Sequence, residues 1–219
     1  MRIEYACYDI AANDIELQQN LETAIKYSPD CISVFPTGLK TLLKIIPDHI
    51  ESSCIIDYPF GLSSHESRMH EINNCVKLKP DILEIVCPIQ LLVNRKYDKF
   101  RKEIDEVLSV LSTENIKVRY LLEYKIFNLN LLCKISSILE SKGINVVYPS
   151  IGHLLDNISD NLLAGSIMQK KSPKSQIIIN GPVWTDKHIR LILNNTSFFG
   201  YKTQNIFALE KIFNKIQSN

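Results

Sequence analysis

The segment ILEIVCP, residues Ile82 to Pro88, is apolar almost without a break. A strand with one face in water alternates apolar and polar residues, whereas a parallel strand that helices cover is apolar on both faces. The segment therefore predicts a covered strand over residues 82–87. The amphipathic stretch after it predicts a helix over residues 97–112.

The same strand-then-helix unit recurs along the whole chain. Further strands are predicted over residues 3–8, 31–35, 53–58, 116–122, 145–148, 176–180 and 196–200. Further helices are predicted over residues 14–27, 38–46, 64–78, 130–142, 153–167, 185–194 and 204–217. Eight such units predict a single (β/α)8 barrel domain over residues 1–219, and an open doubly wound sheet is the alternative architecture.

Local signals place several helix ends. The segments SSHE (63–66) and NLN (128–130) predict helix N-caps, and Gly143 predicts a helix stop. The helix over residues 64–78 is predicted to bury apolar or small side chains on one face. These are Ser67, Ile72, Cys75 and Val76.

Composition excludes several classes of protein. With 25 Lys and Arg against 24 Asp and Glu, the net charge is +1, so we expect no nucleic acid partner. Neither a signal peptide nor a run of about 18 apolar residues is present, so we expect no membrane partner and a cytoplasmic location. The six cysteines include no C-x-x-C pair and the histidines lack metal-ligand spacing, which predicts free thiols and no metal or cofactor.

In a (β/α)8 barrel, functional side chains lie at the carboxyl ends of the strands. The strand ends and following turns read VFPTG (34–38), DYPFG (57–61), EIVCP (84–88), LLEYK (121–125), VVYPSIGH (146–153), INGPVW (179–184) and FFGYKT (198–203). In this order and with these separations, they resemble the deoxyribose-phosphate aldolase family. The matching strings are Phe35-Pro36, Tyr58-Pro59-Phe60-Gly61, Glu84-Ile85-Val86-Cys87-Pro88 and Leu121-Leu122-Glu123.

The resemblance covers essentially the whole chain and implies the family's barrel fold and reaction. That reaction cleaves 2-deoxyribose 5-phosphate to glyceraldehyde 3-phosphate and acetaldehyde. It needs a strand-six lysine that forms a Schiff base, a second lysine on strand seven and an acid on strand four.

Both lysines are replaced in this chain. The family pattern places Tyr148 at the Schiff-base lysine, Ile178 at the second lysine and Glu84 at the acid. A phenol cannot form an imine, so the resemblance implies a degenerate member that has lost aldolase activity.

The phosphate-binding turns are altered as well. Gly181-Pro182 stands where the family has two glycines, and proline offers no N–H group. Gly200-Tyr201-Lys202-Thr203 stands where the family has the glycine-rich turn after strand eight. Lys202 would replace those backbone donors with a charge, so a small phosphorylated or anionic ligand at the barrel mouth stays an expectation.

Other polar residues are candidates for the same pocket. Asp57, Ser150, Asn180 and His153 are candidates for a polar pocket at the mouth. The favoured roles are to cap or begin the sixth helix for His153 and to bind turn backbone groups for Asn180. Trp184 is a pocket lid, an oligomer contact or part of ordinary packing, of which ordinary packing is favoured.

For two sets of charged residues, the sequence allows either a structural or a catalytic role. Arg119, Glu84 and Glu123 are expected to form a structural ion network. Lys125 is either a relocated Schiff-base lysine that points to the mouth, or a solvated lysine paired with a carboxylate such as Glu123.

Three functional hypotheses follow. The first is an aldolase-like protein that has lost its activity and serves a binding, regulatory or structural role. The alternative is an active aldolase or related lyase that uses Lys125 or Lys202 on a small aldehyde or sugar phosphate. The third is a structural subunit of an assembly, with a homo-oligomer or another protein as partner.

Overall fold

The computed structural model describes residues 1–154, 157–181 and 183–217. Eight parallel strands close into a barrel in chain order. The strands are β1 (Arg2–Cys7), β2 (Cys31–Val34), β3 (Glu51–Ile56), β4 (Ile82–Val86), β5 (Lys117–Leu121), β6 (Val146–Tyr148), β7 (Gln176–Asn180) and β8 (Gly200–Thr203). Because β1 pairs with both β2 and β8, the barrel is confirmed and the open sheet was wrong.

Helices cover the outside of this barrel. They are α1 (Asp14–Ile25), α2 (Leu39–Ile45), α3 (His65–Val76), α4 (Ile89–Val93), α5 (Tyr97–Leu111), α6 (Leu129–Ser141), α7 (Ile158–Lys171), α8 (Asp186–Asn194) and α9 (Ile206–Gln217). Within the described part of the chain, no helix combines the length and the apolar character that crossing a bilayer requires.

Side-chain caps set the helix boundaries, as the sequence predicted at two places. The side chain of Ser64 accepts from the backbone N–H of Ser67, and that of Asn128 accepts from the N–H of Leu131. Gly143 follows α6 with φ of 80°, the left-handed conformation that favours glycine.

The predicted eighth strand, residues 196–200, was wrong. The strand is Gly200–Thr203, which pairs with β1 and with β7. The aromatic run at Phe198 and Phe199 carries the strand-like composition, whereas the strand itself contains Lys202. A single-sequence pattern could not show that carboxylates on other strands neutralise this lysine.

The predicted sixth helix, residues 153–167, was also misplaced. The corresponding helix α7 begins at Ile158, where the side chain of Asn157 accepts from the N–H of Ser159. His153 lies before that helix, and residues 155–156 of the predicted helix lie outside the described residues.

The buried face of α3 was partly wrong. Ile72, Cys75 and Val76 are buried as predicted, but Ser67 is exposed and Arg68 is buried instead. The short helix α4 was not predicted.

Candidate functional site

Charged side chains meet inside the barrel, where most (β/α)8 proteins pack apolar ones. Glu4 on β1, Glu84 on β4, Arg119 on β5 and Lys202 on β8 are all buried, and Glu4, Glu84 and Lys202 have no exposed surface. Strand register brings them together, because Glu4 is level with Lys202 and Glu84 is level with Arg119. We call these four residues the interior network.

Each cation of the interior network contacts both carboxylates. Lys202 Nζ donates to Glu84 Oε2 and lies 3.9 Å from Glu4 Oε2. Arg119 Nη1 donates to Glu4 Oε1 over 2.7 Å and lies 4.0 Å from Glu84 Oε1. Arg2 Nε, on β1 at the edge of this network, also donates to Glu4 Oε1 over 2.6 Å, so both buried carboxylates have cationic partners.

Tyr148, at the position the family resemblance assigns to the reactive lysine, completes this network. Its hydroxyl lies 2.8 Å from Glu84 Oε1 and 3.1 Å from Glu4 Oε2, and it accepts from Arg119 Nη1 over 3.0 Å. Lys202 Nζ also lies 5.3 Å from the centroid of the tyrosine ring. The phenol thus ties both carboxylates to the guanidinium.

The pKa values of this region follow from burial and these charges. Burial raises the pKa of Tyr148 well above its ordinary value, and Glu4 and Glu84 raise it further, so the phenol stays protonated. Burial acts to raise the pKa of Glu4, but Arg119 and Lys202 outweigh it and lower that pKa to about 2. At neutral pH Glu4 is accordingly charged, whereas the Tyr148 phenol is neutral.

Aromatic rings cover the network on the side of the barrel mouth. The ring of Tyr8 lies 5.1 Å from that of Phe35 and 5.0 Å from that of Tyr58, centroid to centroid. The Tyr8 hydroxyl lies 2.6 Å from Ser33 Oγ and donates to Glu84 Oε2 over 3.3 Å, so it contacts the interior network. Tyr8, Phe35 and Tyr58, which we call the aromatic plug, thus fill the entrance to Lys202.

The turn after β6 is fixed by hydrogen bonds among predicted site residues. Ser150 Oγ and the N–H of Ile151 donate to Glu123 Oε2 over 3.2 and 3.1 Å. Asn180 Nδ2 donates to the carbonyl of Ser150 over 3.3 Å. A Cβ on Gly152, whose φ is 74°, would approach the Asn180 side chain to 2.9 Å. Ser150, Asn180 and Glu123 hold this turn in place.

Glu123 also accepts from the backbone N–H of Lys125 over 3.0 Å, in addition to the β6 turn. Lys125 is exposed, with Nζ 5.8 Å from the centroid of the Tyr124 ring, which agrees with the interpretation as a solvated lysine.

The predicted phosphate turns are engaged within the protein. The N–H of Gly181 donates to the carbonyl of Lys202 over 3.4 Å. Gly200 is a strand residue level with Ile178, not part of a turn after β8, and a Cβ there would lie 2.8 Å from Arg2 Cβ. Ile178 is fully buried among apolar side chains of the barrel interior. Pro182 lies outside the described residues.

Asp57 faces α3 rather than the barrel mouth. Its carboxylate accepts from Arg68 Nε and Nη2 over 2.9 and 2.6 Å, and it binds Ser63. Arg68 Nη1 also donates to Glu103 of α5 over 2.5 Å. Asp57, Arg68 and Glu103, which we call the outer clamp, fix the loop that carries Tyr58 into the plug.

Among the residues that the structure describes, one group has metal-ligand character. The ligand atoms of Glu4, Cys31 and Glu84 lie within 4.8 Å of one another. Both carboxylates already bind Lys202 or Arg119, and burial together with Glu4 raises the pKa of Cys31 well above its usual value. A metal ion needs a thiolate and unshared carboxylates, so these residues do not fit one in this arrangement.

Sequence reasoning missed Glu4, Tyr8, Ser33, Arg68 and Glu103. A signal existed for Glu4, because a carboxylate within the otherwise apolar part of β1 (RIEYAC) must find a cation inside the barrel. None existed for Arg68, since helix surfaces carry many arginines. His153, which was expected at a helix start, instead packs edge-on against Tyr58 and Phe60, with centroids 5.7 and 5.3 Å away.

Comparison with known proteins confirms the resemblance inferred from the strand ends. No protein-family model matches the chain. It is 24% identical over 104 residues to a deoxyribose-phosphate aldolase of Staphylococcus carnosus (strain TM300), which covers 47% of each chain. It is 22% identical over 138 residues to deoxyribose-phosphate aldolase 1 of Staphylococcus aureus (strain MSSA476), covering 63% of this chain and 62% of that protein. The chain thus matches about half to three fifths of the length of these curated relatives.

Solved structures share the fold over the whole chain. An aldolase designated QR15 superposes with a TM-score of 0.86 at 16% identity, covering 99% of this chain and 96% of that one. A protein described as a tetrameric deoxyribose phosphate aldolase from Aeropyrum pernix superposes with a TM-score of 0.80 at 14% identity, covering 99% and 90%. At such identities these matches establish the (β/α)8 fold, while the chemistry must be judged from the residues of this chain.

Proposed function

We propose that this chain, which has the fold of the deoxyribose-phosphate aldolases and a weak sequence resemblance to them, has lost Schiff-base chemistry and acts as a binding protein. The observation that carries the proposal is the place of Tyr148. Its hydroxyl lies 2.8 Å from Glu84 and 3.0 Å from Arg119, so it replaces an amine with a neutral bridging group. Without an imine, Glu84 has no carbanion to protonate.

Lys202 is the one relocated lysine that lies close to Glu84 and Tyr148, yet its environment argues against catalysis. A Schiff-base lysine must lose its proton and meet a carbonyl carbon. Lys202 Nζ donates directly to Glu84 Oε2, and it has no exposed surface. The aromatic plug would also have to open before a substrate entered. We therefore assign Lys202 to the ion network.

The exposed apolar residues support a binding role for the loops around the mouth. Seven large apolar side chains are exposed in segments that follow strands: Ile10, Phe60, Leu62, Val93, Ile126, Leu129 and Trp184. Three more, Ile15, Leu163 and Phe207, lie in the first two turns of helices at the same end. Trp184 is 68% exposed, so its assignment to ordinary packing was wrong. Apolar surface gathered at one end favours a protein partner.

We assign that partner to another protein chain, either a second copy or a different subunit. The Aeropyrum pernix aldolase of this fold is described as tetrameric, which supports self-association as one form of the proposal. The small anionic ligand stays a weaker candidate, because Gly181 and Gly200 already serve backbone pairing. Binding in a pocket of about 370 Å³ between Tyr8, Asn20 and Trp184 would not need the plug to open.

Reductive trapping tests the loss of aldolase chemistry. The protein is incubated with 2-deoxyribose 5-phosphate and borohydride, then digested and mapped by mass spectrometry. We expect no adduct on Lys202 or Lys125 under conditions that trap the Staphylococcus aureus aldolase used as a positive control. A stoichiometric adduct on Lys202 that is absent from Lys202→Met would overturn the proposal.

Light scattering with size-exclusion chromatography tests the binding role. We expect the protein to self-associate, or to bind a partner from its source, and to lose this association in Trp184→Ser and Leu129→Ser. Ile216→Ser is the matched control, because Ile216 is 52% exposed but lies in the last turn of α9, at the opposite end of the barrel. A monomer that recovers no partner, or equal loss in all three variants, would contradict the role of the mouth loops.

A further inference from the structure

Two cysteines lie in contact between the sheet and the helices. Sγ of Cys54 on β3 is 3.4 Å from Sγ of Cys75 on α3. Both belong to the apolar layer outside the barrel, where Cys54 has no exposed surface and Cys75 has 2%. They are free thiols 21 positions apart in the sequence, so neither a C-x-x-C motif nor any local pattern predicts their contact.

We propose that Cys54 and Cys75 form a modification site, at which a hydroperoxide converts the two thiols to a disulfide in the folded protein. This inference does not depend on the proposed function. The sulfur atoms must close from 3.4 Å to about 2.05 Å. The two sulfur atoms are already in hydrogen-bond contact, so the remaining closure is about 1.4 Å.

The chemistry proceeds in two balanced steps. The sulfur of Cys75 attacks the hydroperoxide, the O–O bond breaks, and Cys75 becomes a sulfenic acid while the oxidant leaves as an alcohol or as water. The sulfur of Cys54 then attacks that sulfenic sulfur, the S–O bond breaks, and one water leaves with the thiol proton. Cys75 is assigned the first step because it is the more exposed of the two, and the hydrogen bond from Cys54 lowers its pKa.

The bond would fasten α3 to the barrel at a second point. Arg68 of the outer clamp already binds the first half of α3 to Asp57, and Cys75 lies in the last turn. The closed loop contains the segment of the aromatic plug at Tyr58 and the exposed rim residues Phe60 and Leu62. Cross-linking removes conformations from the unfolded chain, and for a loop of this length we expect the Tm to rise by about 5 to 10 °C.

Peptide mapping of the oxidised protein tests the site directly. Cleavage at Lys44, Arg68 and Lys77 places the two cysteines in separate tryptic peptides, residues 45–68 and 69–77. The Cys133→Ser variant is used, because Cys133 is the least buried cysteine and would cross-link between molecules. After treatment with hydrogen peroxide, we expect a mass loss of two hydrogens, the linked peptide pair, and recovery of both thiols with dithiothreitol.

Two variants sharpen the result. Cys54→Ala should stop the reaction at the sulfenic acid of Cys75, which a dimedone probe labels, and neither it nor Cys75→Ala should show the rise in Tm on oxidation. Linkage of any other cysteine pair, or oxidation of Cys75 only to sulfinic and sulfonic acids in the protein with both cysteines, would overturn the proposal.

Discussion

Two buried ion networks lie on opposite faces of the same sheet, and they differ in what they connect. The interior network joins Glu4, Glu84, Arg119 and Lys202 across four strands of the barrel. The outer clamp joins a loop residue, Asp57, to two helices through Arg68 and Glu103. The interior network thus organises the barrel itself, whereas the outer clamp organises what covers it.

The difference predicts which part of the molecule each network stabilises. In the interior network, Tyr148 adds hydrogen bonds to both carboxylates at the centre of the barrel. The outer clamp lies outside the barrel and acts only on the loop that bears Tyr58. Removing charges from the interior network should therefore affect global stability, while breaking the outer clamp should affect mainly one loop.

The largest effect is expected from Lys202→Met. It removes the direct cationic partner of Glu84, whose other cation, Arg119 Nη1, is 4.0 Å away, while Glu4 keeps Arg119 and Arg2. An uncompensated buried charge costs about 3–5 kcal/mol of unfolding free energy. Urea denaturation followed by circular dichroism measures the loss. Lys211→Met is the matched control, because its partner Asp186 is 2.6 Å away but 55% exposed, so we expect little or no loss.

The double variant Lys202→Met/Glu84→Gln separates charge from packing. Removing both charges leaves a neutral hydrogen-bond acceptor for Tyr148. We therefore expect the double variant to lose less unfolding free energy than the sum of the two single variants, by about 1 kcal/mol or more. Additive losses would show that Lys202 and Glu84 do not stabilise each other.

The next largest effect is the loss of unfolding free energy at acidic pH. The pKa of Glu4 is lowered in the folded protein to about 2, so its contribution is present above about pH 4.5 and is lost as the pH falls toward 2. The shift corresponds to about 3 kcal/mol. Urea denaturation between pH 6 and pH 2.5 measures it, and Glu4→Gln should flatten the profile. An unchanged profile in that variant would assign the acid sensitivity to other carboxylates.

The two networks also show which features of the structure could be predicted from the sequence. Covered strands and amphipathic helices follow from composition, so the barrel could be predicted, and Glu84 level with Arg119 followed from strand order. The position of β8 could not be predicted, because a lysine is unexpected within a covered strand. Lys202 is accommodated there only because Glu4 and Glu84 lie beside it. The outer clamp depends on contacts between distant segments that no local pattern records.

A smaller effect, about 2 kcal/mol, is expected from Arg68→Met. Its partners keep other hydrogen bonds once the arginine is gone, because Ser63 donates to Asp57 and His65 lies 3.2 Å from Glu103. The diagnostic readout is limited chymotrypsin digestion, because cleavage after Phe60 or Leu62 should become faster. Lys79→Met, which breaks an exposed pair with Glu114, should leave the digestion unchanged. Cleavage distributed over the whole chain would mean that the clamp serves global stability.

The smallest effect is expected at His65, at the outer edge of the same clamp. Burial acts to lower its pKa, but hydrogen bonds to Glu103 and Glu106 outweigh this and raise it. Because the pKa is raised in the folded state, the stabilising contribution is present below about pH 6.5 and is lost as the pH rises through the folded value. The side chain is 45% exposed, so the change in stability should be slight. NMR titration should place the His65 pKa above that of a model histidine, and Glu106→Gln should return it toward that value. An unshifted titration in the unmodified protein would show that His65 is not paired with Glu103 and Glu106 in solution.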